Sequence, residues 1–452
     1  MFIKVFLMSG IFVLMNIIDI SAQDTSFANI FYKEFTESTS INSLKKNETD
    51  SIAILNLQNA IIMGLRNNPR LKSEKLEINA FQAAALQAGL YPNPSVGIEL
   101  ENILGSGEFG SFDAGENTFS ISQDFVLGGR LNKGRKVQLL NSNLAKWNLI
   151  SERLNLISEI RKSFTLISAL QHQNNLNEKL LKISKDFLMN LERRIKAGKV
   201  SPAEASRASL ISTSLEIQIQ SLRMQIISEK AKLKAIIGKP ELNFAEVENT
   251  CNLKYEIPGI DELADLILKS PNLALYKTEM ERVKASVELE KARVIPDLSV
   301  SFGIRRLTET SDNVFVLGAS IPLPLFNNNR GNIQKALIKE DQTKYDYRST
   351  LNQAEARLKL LYNNIKAFNV MIEKLESESI PKANEAFKII TKGNLVGRFT
   401  VLDVLDAQRS LFELESQYVS AVSEYNRNVI ELEELTLTKF NFEYKARILN
   451  DE

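Results

Sequence analysis

The chain has 452 residues, and its 56 basic and 55 acidic side chains leave a formal net charge of +1. No one-signed field is present to recruit nucleic acid or an anionic surface. It has a single cysteine, Cys251, and a single histidine, His172, 79 positions apart (251 − 172). That pair excludes an internal disulfide and does not make a transition-metal centre of imidazole and thiolate ligands.

In chain order, Lys4 precedes an apolar run over 5–18, and Ser21-Ala22 offers a small-residue cleavage site. Residues 1–22 read as a secretory signal peptide, with Gln23 as the new N-terminus. Residues 23–50 are a polar, aperiodic leader or linker. No cysteine stands at the cleavage site, so no acylated N-terminal cysteine is expected. No later segment reaches the ~18 apolar residues of a spanning helix, so any membrane crossing has to be made by strands.

A first unit covers 51–250. Helices are predicted over 54–67 and 70–90, after which Tyr91-Pro92-Asn93-Pro94 breaks the pattern. Two strands follow within 94–127. In Ser95-Val96-Gly97-Ile98-Glu99-Leu100-Glu101 the apolar side chains alternate with Ser95, Glu99 and Glu101, and 118–125 alternates likewise. A helical hairpin is predicted over 132–238. Residues 135–197 contain no glycine or proline, a run of 63 that allows roughly 95 Å of helix. It ends at Ala197-Gly198-Lys199-Val200-Ser201-Pro202, where Gly198 suits a helix C-terminus, Ser201 an N-cap and Pro202 a first helical position.

A second unit, 251–445, repeats the plan. Helices are predicted over 261–268 and 273–294, and strands within 297–324, as 298–305 and 315–323. A second hairpin over 329–445 turns near Gly393–Thr400, and Pro381 is expected to kink its first helix. The exits Tyr91-Pro92-Asn93-Pro94 and Ile295-Pro296-Asp297 lie 204 residues apart (296 − 92). Apolar-out, polar-in alternation over about ten residues is the signature of an outer-membrane barrel, although soluble hairpins share it. Four strands cannot close a barrel, so a spanning sheet needs several copies of the chain; periodicity allows two or three.

Several stretches are more specific. Asn93-Pro94, Glu101-Asn102-Ile103-Leu104-Gly105-Ser106-Gly107, Ser122-Gln123-Asp124, Leu127-Gly128-Gly129-Arg130, Ile321-Pro322-Leu323-Pro324-Leu325-Phe326 and Leu402-Asp403-Val404-Leu405-Asp406-Ala407-Gln408 occur in this order. Together they resemble the TolC family of outer membrane factors, and within it the heavy-metal, CzcC-like branch. The resemblance implies an α+β membrane protein with an internal two-fold repeat. It implies a homotrimer whose 3 × 4 strands close a twelve-stranded barrel in outer membrane lipid. A long α-helical periplasmic tunnel would continue from that barrel to a periplasmic adaptor and an inner-membrane pump of the RND type. The expected function is a passive exit duct for heavy-metal cations, with drug efflux or type I secretion as alternatives. No cofactor, resident metal or catalytic residue is expected. From another class, a soluble periplasmic coiled-coil scaffold has the same helical pattern.

Asp403 and Asp406, at i and i+3, share a helix face just inside the second turn. By resemblance they line the pore mouth as a ring of carboxylates selecting cations; by helix physics alone they are first-turn acids favoured by the dipole. The family prototype has an arginine where this chain has Phe399, so an arginine lock is not expected there. The turns Gly198, Val200, Ser201 and Gly397, Phe399, Thr400 resemble adaptor-contact tips. Glu99, Glu101, Asp124 and Arg305 are the candidates for the barrel lumen.

Overall fold

The computed structural model describes residues 52–103, 106–107, 114–250, 253–440 and 442–444. The signal-peptide and leader expectations, 1–22 and 23–50, lie outside the described residues.

The first half begins with β1 (Ile52–Leu55), α1 (Leu57–Asn67) and α2 (Pro69–Ala88). Asn68 divides the two helices. Its Oδ1 accepts the amides of Arg70 and Leu71 at 2.8 and 3.2 Å, capping α2 just ahead of Pro69. Strands β2 (Ser95–Glu101) and β3 (Glu116–Phe125) lead into α3 (Arg130–Lys196). At 67 residues α3 is about 100 Å long. Helix α4 (Pro202–Ile237) returns along it, and β4 (Phe244–Val247) closes the half.

The second half starts with β5 (Leu253–Tyr255), α5 (Ile260–Ile267) and α6 (Pro271–Ala292). Strands β6 (Leu298–Leu307) and β7 (Asp312–Ser320) follow, then α7 (Arg330–Lys374), a π-helical turn at Leu375–Ser379, α8 (Ile380–Leu395), α9 (Val401–Thr436) and β8 (Phe442–Tyr444).

Two local expectations are corrected. Residues 54–55, read as helix, belong to β1, because Ile52–Leu55 pairs in parallel with β4, Ile52 opposite Phe244. A strand made by a partner 192 positions away (244 − 52) has no local signature. The fourth strand is Asp312–Ser320 and not 315–323. It grows from a tight turn at Leu307↔Asp312 and stops before Pro322 and Pro324, which have no N–H to give a ladder. At Pro381, where a kink is expected, the helix is continuous and its ladder widens into the π turn, which accommodates a ring that clashes with the carbonyl four residues back.

Each half has a core where its short helices meet its hairpin. The first gathers Leu55, Ile61, Ile157, Ile160, Phe164, Leu233 and Ile237. The second gathers Leu263, Leu273, Leu361, Tyr425, Val429 and Leu432. Between them Arg161 of α3 pairs with Glu433 of α9 at 2.5 Å, with only 8 % and 1 % of these side chains exposed. Glu433 also accepts the Phe440 amide at 2.7 Å. Burial works against the Arg161 charge, but Glu433 and Tyr255 beside it prevail and raise its pKa. Burial is likewise the main reason the Tyr255 phenol is pushed up to about 12. Around this pair Lys162 reaches Glu431 and Glu434, and Arg357 of α7 reaches Glu431. Charges on three long helices thus tie the halves together. Among the described residues no helix is long and apolar enough to cross a membrane.

Candidate functional site: the sheet faces and the hairpin tips

The four longer strands form one antiparallel sheet in the order β2-β3-β6-β7. Register aligns Ile98, Phe119, Ile304 and Phe315 across it, and Val96, Ile121, Phe302 and Leu317 in a second row. All eight side chains are exposed in the single chain. Phe302 and Phe315 stack with centroids 5.7 Å apart. Because strand side chains alternate, the other face must carry the intervening residues. There the rows are Ser95, Ser122, Ser301, Gly318 and Gly97, Ser120, Gly303, Val316, with the charged residues above. One face carries an apolar belt, bounded at one end by the row Leu100, Asn117, Arg306 and Asn313, and the other face is polar. Among the described residues, strands β2 and β7 leave both sheet edges unpaired.

Glu99, Glu101, Asp124 and Arg305 all fall on the polar face. Arg305 is its hub: it contacts Glu101 at 2.7 Å, Glu116 at 2.6 Å and the Thr118 hydroxyl at 2.9 Å, bridging three strands. Glu99 shares the row of Thr118 and Arg305. Asp124 lies towards the other end of β3 and accepts the Ser299 hydroxyl. Glu116 and Thr118 were missed from the sequence; their place follows from the register that links β3 to β6.

At the far end of the hairpins, Gly198 (φ +70°) and Gly397 (φ +79°) occupy the left-handed region, which a glycine enters without a Cβ clash. Ser201 accepts the Ala203 amide at 3.3 Å as the N-cap of α4. The two tips touch. Val200 packs on a cluster of Leu191, Ala208, Val401 and Leu405 drawn from both hairpins. Arg194 Nη1 donates to Asn394 Oδ1 at 2.7 Å, and Asn394 Nδ2 donates to the Phe399 carbonyl at 2.8 Å. Phe399 lies on Gly393, where any Cβ would sit 2.5 Å from its ring. Arg194 and Asn394, 200 residues apart, carry no local sign of their pairing.

Asp403 and Asp406 are both exposed, on the side of α9 opposite buried Val401, Val404 and Leu405. The structure gives each a partner within the chain. Asp403 completes a capping box: its carboxylate accepts the Thr400 amide and hydroxyl, each at 2.7 Å, while its amide donates to the Thr400 hydroxyl at 3.2 Å. Those bonds from Thr400 hold its carboxyl below the usual carboxylate range. The box is therefore intact at neutral pH and is lost only as pH falls through that lowered value. Asp406 lies 3.5 Å from Arg409, which also reaches Glu413. Among the described residues no three His, Cys, Asp or Glu side chains are gathered so as to hold a metal ion.

Comparison with known proteins decides the family. The model of the outer membrane efflux protein family matches residues 61–239 and 263–436. The chain belongs to this family. It is 26 % identical over 370 residues to the cobalt-zinc-cadmium resistance protein CzcC of Cupriavidus metallidurans, covering 82 % of this chain and 87 % of that protein. It is 23 % identical over 384 residues to the pyoverdine export outer membrane protein OpmQ of Pseudomonas aeruginosa, covering 80 % of this chain and 81 % of that one. The crystal structure of the outer membrane protein VceC from Vibrio cholerae superposes with a TM-score of 0.70 at 21 % identity, over 85 % of this chain and 97 % of that chain. The fold is that of the TolC-like outer membrane channels, and the protein is an outer membrane efflux channel.

Proposed function

We propose that three copies of this efflux channel assemble into a continuous duct, a twelve-stranded outer-membrane barrel continued by a periplasmic helical tunnel. The observation that carries this is the sheet: one apolar face, one polar face and two open edges, set at one end of two helical hairpins. An open edge cannot stand in lipid, so β7 of one copy pairs with β2 of the next. Copy number follows from width. Two copies give eight strands, an interior that side chains fill; three give twelve and leave room for an aqueous path. Glu99, Glu101, Asp124 and Arg305 then face the lumen, and Asp403 and Asp406 ring the periplasmic mouth. The tips at Gly198–Ser201 and Gly397–Thr400 meet a periplasmic adaptor coupled to an inner-membrane pump of the RND type. The two separately matched stretches support a duplicated ancestral unit.

The cargo is heavy-metal cations. Similarity to CzcC over most of both chains supports this, and an acidic mouth favours cations over anions. The chain conducts passively and performs no covalent chemistry. Two measurements test the reading. Light scattering of the detergent-solubilised protein should give three chains per particle; a stable monomer or dimer refutes the barrel. A strain lacking the protein should accumulate cobalt, zinc or cadmium, whereas unchanged metal tolerance with impaired pyoverdine export would move the cargo to the one named for OpmQ.

A further inference from the structure

The segment between β7 and α7 reads Ile321-Pro322-Leu323-Pro324-Leu325-Phe326, and no role described above accounts for it. Its apolar side chains lie open: Ile321 51 %, Leu323 74 %, Leu325 74 % and Phe326 99 % exposed. In sequence phase, Ile321, Leu323 and Leu325 continue the every-second-residue series of Phe315, Leu317 and Ala319 on the apolar face. The two prolines fall in the opposite phase.

The backbone suits an apolar solvent too. An extended segment outside the sheet carries N–H groups with no ladder partner, and each costs several kcal/mol in hydrocarbon. Pro322 and Pro324 remove two such donors, and the Leu325 amide is satisfied by the Leu323 carbonyl at 2.9 Å. The apolar character then stops abruptly at Asn327-Asn328-Asn329-Arg330. Asn329 Nδ2 donates to the Glu290 carbonyl at 2.8 Å, so the lower end of the segment is pinned to α6.

We infer that residues 321–326 form an anchor buried in the periplasmic leaflet of the outer membrane, at the border between acyl chains and headgroups. The depth follows from lengths. Asp312 and Asn313 are polar, so the band begins at residue 314; residues 314–320 span roughly 23 Å, which at a ~40° tilt is ~18 Å of height, against an apolar band of ~25 Å. The strand leaves the lowest few ångströms of the band unfilled, and the segment after it falls there. This rests on the membrane-spanning reading of the sheet. A neighbouring copy is the competing occupant. The shared phase with the apolar belt and the proline-depleted donors favour lipid.

Tryptophan fluorescence tests it in the full-length protein reconstituted into phosphatidylcholine bilayers. Wild-type Trp147 is buried and donates to Thr278 Oγ1 at 3.1 Å, so its signal can be subtracted as a constant background. Phe326→Trp should be quenched at least twofold by lipid brominated near the headgroup end of the chain, less by lipid brominated deep in the chain, and little by aqueous iodide. Leu325→Trp gives the same readout should the first variant fail to assemble. Quenching by iodide alone would place the segment in water, and quenching by neither agent would place it beneath another copy; each overturns the anchor. Leu317→Trp, in the middle of the apolar face, is the control and should respond to deep bromines. If it responds and the segment does not, only the anchor fails. If neither responds to bromolipid, the membrane reading of the sheet fails with it.

Discussion

Removing Glu433 should be among the most damaging single changes in the helical region. In Glu433→Leu the Arg161 guanidinium keeps its burial and loses its counter-charge, and the Phe440 amide loses its acceptor. Breaking a buried pair by deleting one partner costs ~3–5 kcal/mol, because the remaining charge is left uncompensated. The double variant Arg161→Met/Glu433→Leu removes both charges; it leaves the Phe440 amide without its acceptor, at ~1–3 kcal/mol, and takes from the Tyr255 hydroxyl its bond with Arg161. The double variant should therefore be more stable than Glu433→Leu alone. Guanidinium unfolding of the detergent-solubilised protein, followed by loss of helical circular dichroism at fixed protein concentration, reads the order directly. Additive losses in the double variant would refute the idea that this pair couples the two halves.

Two further outcomes concern the tips. Arg409 beside Asp406 offsets part of the acidic charge of the proposed mouth, leaving −1 per copy from Asp403, Asp406 and Arg409 (−1 − 1 + 1). Arg409→Gln should thus raise cation preference and Asp406→Asn lower it, read as reversal potentials in planar bilayers. Both effects should shrink as the screening length falls from ~10 Å at 0.1 M salt to ~3 Å at 1 M; no change in either variant at low salt would place the selective ring elsewhere. Arg194→Ala cuts the polar link between the hairpin tips and should increase resting conductance. Asn394→Ala should do so more strongly, since it also releases the Phe399 carbonyl. Normal conductance in assembled variants would remove these residues from any closing contact.

Whatever depends on a residue and its near neighbours was legible in the sequence. Alternation in 95–101 and 298–305 marks two-faced strands because successive side chains point to opposite sides. The uninterrupted run 135–197 becomes helix α3 because nothing in it breaks the ladder, and Gly198-Lys199-Val200-Ser201-Pro202 reverses the chain by its own stereochemistry. Tertiary structure decided what depends on distant partners. The four residues of β1 are strand only because β4 lies beside them, and β7 starts at Asp312 because that residue pairs with Leu307 of β6. Arg161 and Glu433 look like ordinary surface charges in sequence; the packing of α3 on α9 desolvates them together and makes each necessary to the other. Asp403, expected at a pore mouth, first has a task within its own chain as the far half of the Thr400 cap. Periodicity records which side of an element meets water, whereas contacts hundreds of residues apart arise only when the folded chain brings those elements together.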